Sequence, residues 1–159
     1  MHAPQRATGS CAASGLAQLA LAPMCALLLR DAMLAVAGLE MPDVLCPVPL
    51  GPRRLSERGF NQALVIARPL ARAVGVPLAA RLMARPVDTP AQSLMTPAGR
   101  RDNVRRAFVV EGDVDGKHVG VVDDVMTSGH TLHAVARTLK AAGAVRVTNL
   151  VLARTPPHE

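Results

Sequence analysis

The chain has 159 residues, a length suited to one domain of about 100–200 residues. A chain of this size buries roughly 68–70% of its unfolded surface and folds without staples. Hydrophobic residues make up 50%, which excludes a disordered chain. The three cysteines, Cys11, Cys25 and Cys46, form no CxxC pair. That argues against a disulfide framework or a zinc ribbon and makes a reducing cytoplasm the expected compartment.

The formal charge of +6 is unevenly placed. Residues 53–106 hold 11 of the 18 basic residues, all arginine, against three acids, Glu57, Asp88 and Asp102. Such a window suits nucleic acid, an anionic membrane, a phosphorylated small molecule, or simply a solvated face. Trp and Tyr are absent, and Phe occurs only at Phe60 and Phe108. The stacking side chains of single-strand binders are therefore missing, and weak, salt-sensitive nucleic-acid binding is the most to expect.

Residues 7–29 are uncharged and rich in Ala and Leu, with Arg6 before them and Ala35-Val36-Ala37 after. A signal peptide would look partly like this. Pro23 interrupts the run, however, and Arg30-Asp31 separates it from the small-residue triplet. Gly, Ser and Ala dilute it below a membrane span. The expected structure is a ragged start and then a helix over about 24–37, ended by Gly38.

Residues 43–48 (DVLCPV) read as a strand that runs into the turn-rich PLGPRR. Residues 60–74 read as a helix, with Ala63, Ile66, Ala67, Leu70 and Val74 at helical spacing. Pro69 is expected to kink or divide it. A strand is expected within 78–84, a long loop over 85–104, a strand at 107–110 and an acidic turn from Gly112 to Gly116. His118 and His133 read as surface or helix-face histidines, and the cysteines as buried thiols.

The last third carries the clearest pattern. Residues 118–122 (HVGVV) predict a buried strand, 123–130 a loop, 131–142 a helix ended by Gly143, and 145–152 another strand. Strand, loop, helix, strand is a βαβ unit and predicts a parallel sheet. No repeat or linker suggests a second domain.

The loop Asp123-Asp124-Val125-Met126-Thr127-Ser128-Gly129-His130-Thr131 follows a parallel strand at its C-terminal end. Open α/β sheets bind their ligands there. Unsatisfied N–H groups at a helix N-terminus favour an anion, Thr and Ser hydroxyls can add donors, and glycine lets the backbone come close. Carboxylates would repel a phosphate but accept hydrogen bonds from neighbouring sugar hydroxyls. Two acids before a phosphate cradle therefore suit a ribose 5-phosphate. The loop is neither GxxxxGK[ST] nor GxGxxG. A plain Ser/Thr helix cap accounts for Thr127 or Ser128, but not for an acid pair directly after four apolar positions.

VVDDVMTSGHT resembles the phosphoribosyl-pyrophosphate (PRPP) signature of type I phosphoribosyltransferases. Cys46-Pro47-Val48-Pro49-Leu50, Arg53-Arg54 and Arg58-Gly59-Phe60-Asn61-Gln62 resemble the PVPL…RGFNQ run of the ComF family. Gln92 with Arg100, Asn103, Val104 and Phe108 resembles that family's Q…R..N…aF stretch. The resemblance covers about residues 43–154.

It implies a type I phosphoribosyltransferase fold: α/β, Rossmann-like, with a mainly parallel sheet flanked by helices. Residues 1–40 would form a reduced N-terminal hood segment, and 41–156 the phosphoribosyltransferase domain. It implies that Asp123 and Asp124 hold the ribose hydroxyls of PRPP near a Mg²⁺ ion, as catalytic and metal-associated residues. Val125 and Met126 would lead into residues 127–131 (Thr127, Ser128, Gly129, His130, Thr131), which would wrap the 5-phosphate. Pro47, Val48, Pro49 and Leu50 would form the pyrophosphate loop. Arg53, Arg54 and Arg58 would meet or flank the pyrophosphate. Arg100 and Arg105 would belong to a covering loop, with Arg100 counted as catalytic.

The implied activity is a Mg²⁺-dependent transfer of phosphoribosyl to a nitrogenous acceptor with release of pyrophosphate. The alternatives are a non-catalytic PRPP or nucleotide sensor and a competence-related accessory protein. The implied partners are PRPP, pyrophosphate and an unidentified acceptor, with no membrane and a homodimer as a possible assembly. The family's usual four-cysteine ribbon is missing, so no zinc is expected. Arg30 stands where a lysine is common, Ser128 replaces the commoner Thr, and His130 replaces a small residue.

Overall fold

The computed structural model describes residues 10–86 and 107–155, with side chains from residue 19 onward. In chain order the elements are α1 (Ser10–Ala35), β1 (Val44–Pro47), α2 (Pro52–Arg58), α3 (Gln62–Val74), β2 (Met83–Ala84), β3 (Val109–Val110), β4 (His118–Met126), α4 (His130–Ala141) and β5 (Arg146–Arg154). The main sheet has the order β1-β4-β5, and all its pairings are parallel. β2 and β3 form a separate antiparallel ladder. The predicted βαβ unit is β4-α4-β5.

Helices cover both faces of the sheet. On one face, Ala26, Leu29 and Met33 of α1 and Ile66, Ala67 and Leu70 of α3 pack on Leu45, Val122 and Leu150. On the other, Leu132, Val135 and Leu139 of α4 pack on Cys46, Val119 and Val121, with Met83 and Phe108 beside them. Burying one such Leu or Val side chain contributes about 1.5–3 kcal/mol. Strand β4 serves both cores, because successive side chains point to opposite faces. The inner face of α1 is part of the domain core.

Several boundaries differ from those expected. Helix α1 starts at residue 10 rather than near 24 and runs through Pro23. Its Ala- and Leu-rich sequence favours helix strongly enough to continue past a missing N–H donor. Helix α3 likewise runs unbroken through Pro69, because Asn61 caps its start, Gly75 (φ 70°) ends it, and five of its side chains are buried. The turn-rich PLGPRR contains a short helix, α2, with Pro52 in its first turn, where proline costs no hydrogen bond. The strand expected over 78–84 is β2 alone, with a single bridge from Leu78 to Leu45. That expected at 107–110 is confined to 109–110.

His118 is a further correction, because it is buried rather than exposed. Its Nε2 lies 2.8 Å from the Thr148 hydroxyl, and its amide donates to Asp43 Oδ2 at 2.7 Å. Both partners come from other segments of the chain. Cys46 is buried as expected, whereas Cys25 is only partly so. No described helix is long and apolar enough to cross a membrane.

Candidate functional site

The acid pair lies within β4, not in the loop after it. The strand continues to Met126, paired with β5 as far as Arg154, and the Thr155 amide donates to the Met126 carbonyl at 3.1 Å. Asp123 is therefore fixed by sheet pairing opposite Val151, and Asp124 stands between the paired positions Asp123 and Val125. Both side chains are half-buried. The Asp124 amide donates to Asp123 Oδ1 at 3.0 Å.

Burial pushes the Asp123 carboxyl up to about 7, and the neighbouring Asp124 charge adds to the effect. The bond from the Asp124 amide works in the opposite sense. No cation of the described residues is among the groups acting on Asp123. Two adjacent half-buried carboxyls, with no cation of the described residues acting on Asp123, make a setting that suits hydroxyl donors or a divalent cation. Among the described residues no cluster of three or more His, Cys, Asp or Glu could enclose a metal. Mg²⁺ fits such a setting, because it keeps several waters and takes other ligands from phosphate oxygens.

Past Met126 the chain turns through Thr127 and Ser128 to Gly129, which takes the left-handed conformation (φ 76°) at the cap position of α4. Gly129 offers no side-chain cap, so the first-turn N–H groups of α4 keep no intrahelical acceptor. Thr127, Ser128, His130 and Thr131 are exposed around that turn. Ser128 Oγ and His130 Nδ1 lie 2.6 Å apart, which ties the two side chains together. Val125 is exposed and Met126 half-buried.

The segment Pro47-Val48-Pro49-Leu50 is brought alongside the acid pair. Pro47 is in register with Val122, and the Val48 amide donates to the Val122 carbonyl at 2.9 Å. Arg53, Arg54 and Arg58 follow on α2 and are exposed, with Arg53 Nε 2.8 Å from Glu57 Oε1. Arg100 and Arg105, with Gln92, Asn103 and Val104, lie outside the described residues. Sequence reasoning assigned no role to Asn61, which bonds the backbone of Val48. Its place in the RGFNQ run was the available signal.

A family model described as a phosphoribosyl transferase domain matches residues 61–158. This chain belongs to that family. Its relatives agree with the ComF assignment within the superfamily. It is 36% identical over 136 residues to the DNA utilization protein YhgH of Salmonella typhimurium, covering 84% of this chain and 60% of the relative. It is 32% identical over 137 residues to competence protein F of Haemophilus influenzae, covering 84% and 59%. The chain thus spans about 60% of the length of these relatives.

Among solved structures, a glutamine PRPP amidotransferase from Bacillus subtilis aligns over 86% of this chain and 26% of its own. The TM-score is 0.54 at 23% identity. An adenine phosphoribosyltransferase from Thermoanaerobacter pseudethanolicus aligns over 83% and 79%, with a TM-score of 0.51 at 16% identity. These likenesses show the type I phosphoribosyltransferase fold.

Proposed function

We propose that this protein binds PRPP with Mg²⁺ and transfers its phosphoribosyl group to a nitrogenous acceptor, releasing pyrophosphate. The observation that carries the proposal is the juxtaposition around β4. A half-buried carboxylate pair lies in the C-terminal half of the strand, a helix N-terminus without a side-chain cap follows it, and the Pro47–Leu50 segment lies beside it. Hydroxyl acceptors, an anion cradle and a neighbouring loop match the ribose, the 5-phosphate and the diphosphate of one ligand.

In this reading Asp123 and Asp124 accept hydrogen bonds from the ribose hydroxyls and supply carboxylate oxygens near the metal. Residues 127–131 bind the 5-phosphate through backbone N–H groups and hydroxyls. The acceptor nitrogen attacks the anomeric carbon, and the bond to the pyrophosphate oxygen breaks with its electron pair. The transition state resembles an oxocarbenium ion, as in other glycosyl transfers. Bound Mg²⁺ would offset charge on the departing pyrophosphate. The chain's own contribution is positioning and electrostatic stabilisation. Arg53, Arg54 and Arg58, and the Arg100–Arg105 segment, are assigned to the diphosphate side.

The names of the relatives also support a competence-related role, in which the same PRPP site would act as a sensor without turnover. Calorimetry with Mg²⁺ and PRPP, followed by a pyrophosphate-release assay over a panel of amines and bases, separates the two readings. Binding with release supports the transferase, whereas binding without release for any acceptor supports the sensor. Equal PRPP affinity in wild type and the Asp123→Asn/Asp124→Asn double variant would overturn both.

A further inference from the structure

Asn61 joins two elements that meet at the diphosphate side of the site. Its Nδ2 donates to the Val48 carbonyl at 2.9 Å. Its Oδ1 accepts from the Leu64 amide at 3.3 Å, and its backbone carbonyl accepts from the Val65 amide at 3.1 Å. The second and third contacts are those of an ordinary helix cap, which needs only an acceptor side chain. Ser or Asp would serve there equally well. The bond to Val48 is additional and requires the amide N–H.

That bond falls where the chain has few backbone donors of its own. Pro47 and Pro49 have no N–H, so the Val48 N–H is the lone backbone donor in the run Pro47-Val48-Pro49. It is spent on Val122, one residue before Asp123. The Val48 carbonyl is spent on Asn61. Both polar groups of one buried residue are thereby fixed, one to the strand that carries the acids and the other to α3.

We propose that Asn61 is a positioning residue that holds Val48 to Gly51 in the path that receives the ligand's diphosphate. The proposal rests on the PRPP reading of the site. The chain leaving Val48 carries the Leu50 and Gly51 amides and then Arg53 and Arg54, so freeing the Val48 carbonyl loosens all of them together. The ribose and 5-phosphate contacts, on β4 and α4, stay where they are.

The test uses the full chain, with Asn61→Ser (cap acceptor kept, reach to Val48 lost) and Asn61→Ala (both lost). Affinities for PRPP and for ribose 5-phosphate are measured by calorimetry with Mg²⁺, and melting temperatures alongside. PRPP affinity is expected to fall roughly tenfold in both variants, the loss of about one well-placed hydrogen bond. Ribose 5-phosphate affinity should hold within about twofold, and only Asn61→Ala should lose the cap's share of stability. Unchanged PRPP affinity in Asn61→Ser, or equal losses for PRPP and ribose 5-phosphate, overturns the positioning role. A wild-type protein that binds no PRPP overturns the site reading itself, and this proposal with it.

Discussion

The amide of Val48 donates to the carbonyl of Val122 at 2.9 Å, one residue before Asp123. That bond sets the segment after β1 against the acid-bearing half of β4. The Pro47–Leu50 segment and the acid pair are thus neighbours through the sheet, although about 75 residues separate them in sequence.

Asp123 makes the ligand-free protein sensitive to alkali. Its carboxyl sits at about 7 in the fold, against an ordinary 3.8. Between these values the folded state keeps a proton that the unfolded chain has released, so unfolding free energy falls as pH rises. Asp123→Asn removes this dependence. Its melting temperature should exceed that of wild type at about pH 8, and the gap should narrow towards about pH 4. Thermal unfolding across that range checks it, and parallel curves for the two proteins would refute it.

His118 acts in the opposite direction. Burial, and then the charge of Arg146, hold its imidazole below the ordinary 6.5. Its contribution to stability is present above pH 6.5 and is lost as pH falls through the lower folded value. His118→Gln should therefore flatten the acid limb of the stability curve, read as denaturation midpoints below about pH 6. An acid limb as steep as that of wild type would count against the buried, neutral histidine.

Gly129 holds φ 76° at the start of α4, with Met126 Sδ 3.6 Å from where a Cβ would lie. Space is adequate, so the cost of Gly129→Ala is backbone strain, about 1–2 kcal/mol. Gly129→Asn should cost less, because Asn tolerates this region. If the turn cradles a phosphate, the alanine variant should lose ribose 5-phosphate affinity beyond what its modest fall in melting temperature accounts for. Titration of both variants decides it.

Gly120 is tight for a different reason. A Cβ there would lie 2.7 Å from Leu45 Cδ2 and 2.8 Å from Pro42 Cγ. Overpacking of this kind costs about 1–3 kcal/mol. Gly120→Ala should lower the melting temperature by several degrees, at about 2–4 °C per kcal/mol for a chain of this size. An unchanged value would mean that β1 and β4 yield more easily than their close pairing implies.

The β4-α4-β5 unit was legible because its signals are local. An apolar run, a stripe at helical spacing and a terminal glycine need no distant partner. The acids read as loop residues because polarity ends a strand in sequence, whereas here pairing with β5 carries the strand on to Met126. Helix α1 lacked a readable start, because apolar residues lie all around it and Pro23 interrupts it. His118 was misplaced because its burial and its partners, Asp43 and Thr148, come from elsewhere in the chain. The bond from Asn61 to Val48 was hidden likewise, since the pattern placed Asn61 inside a helix over 60–74 and the bond spans 13 residues.

Residues Val119 to Val122 of strand β4 are paired on both edges, to β1 and to β5. Amide exchange from such a strand requires opening of most of the domain. Asp123 follows directly on this doubly paired stretch, while the candidate anion-binding turn lies beyond the end of the ladder at Met126. Ligand-induced protection from deuterium should then be large at residues 127–131 and small at Val119 to Val122, where protection is already near its ceiling.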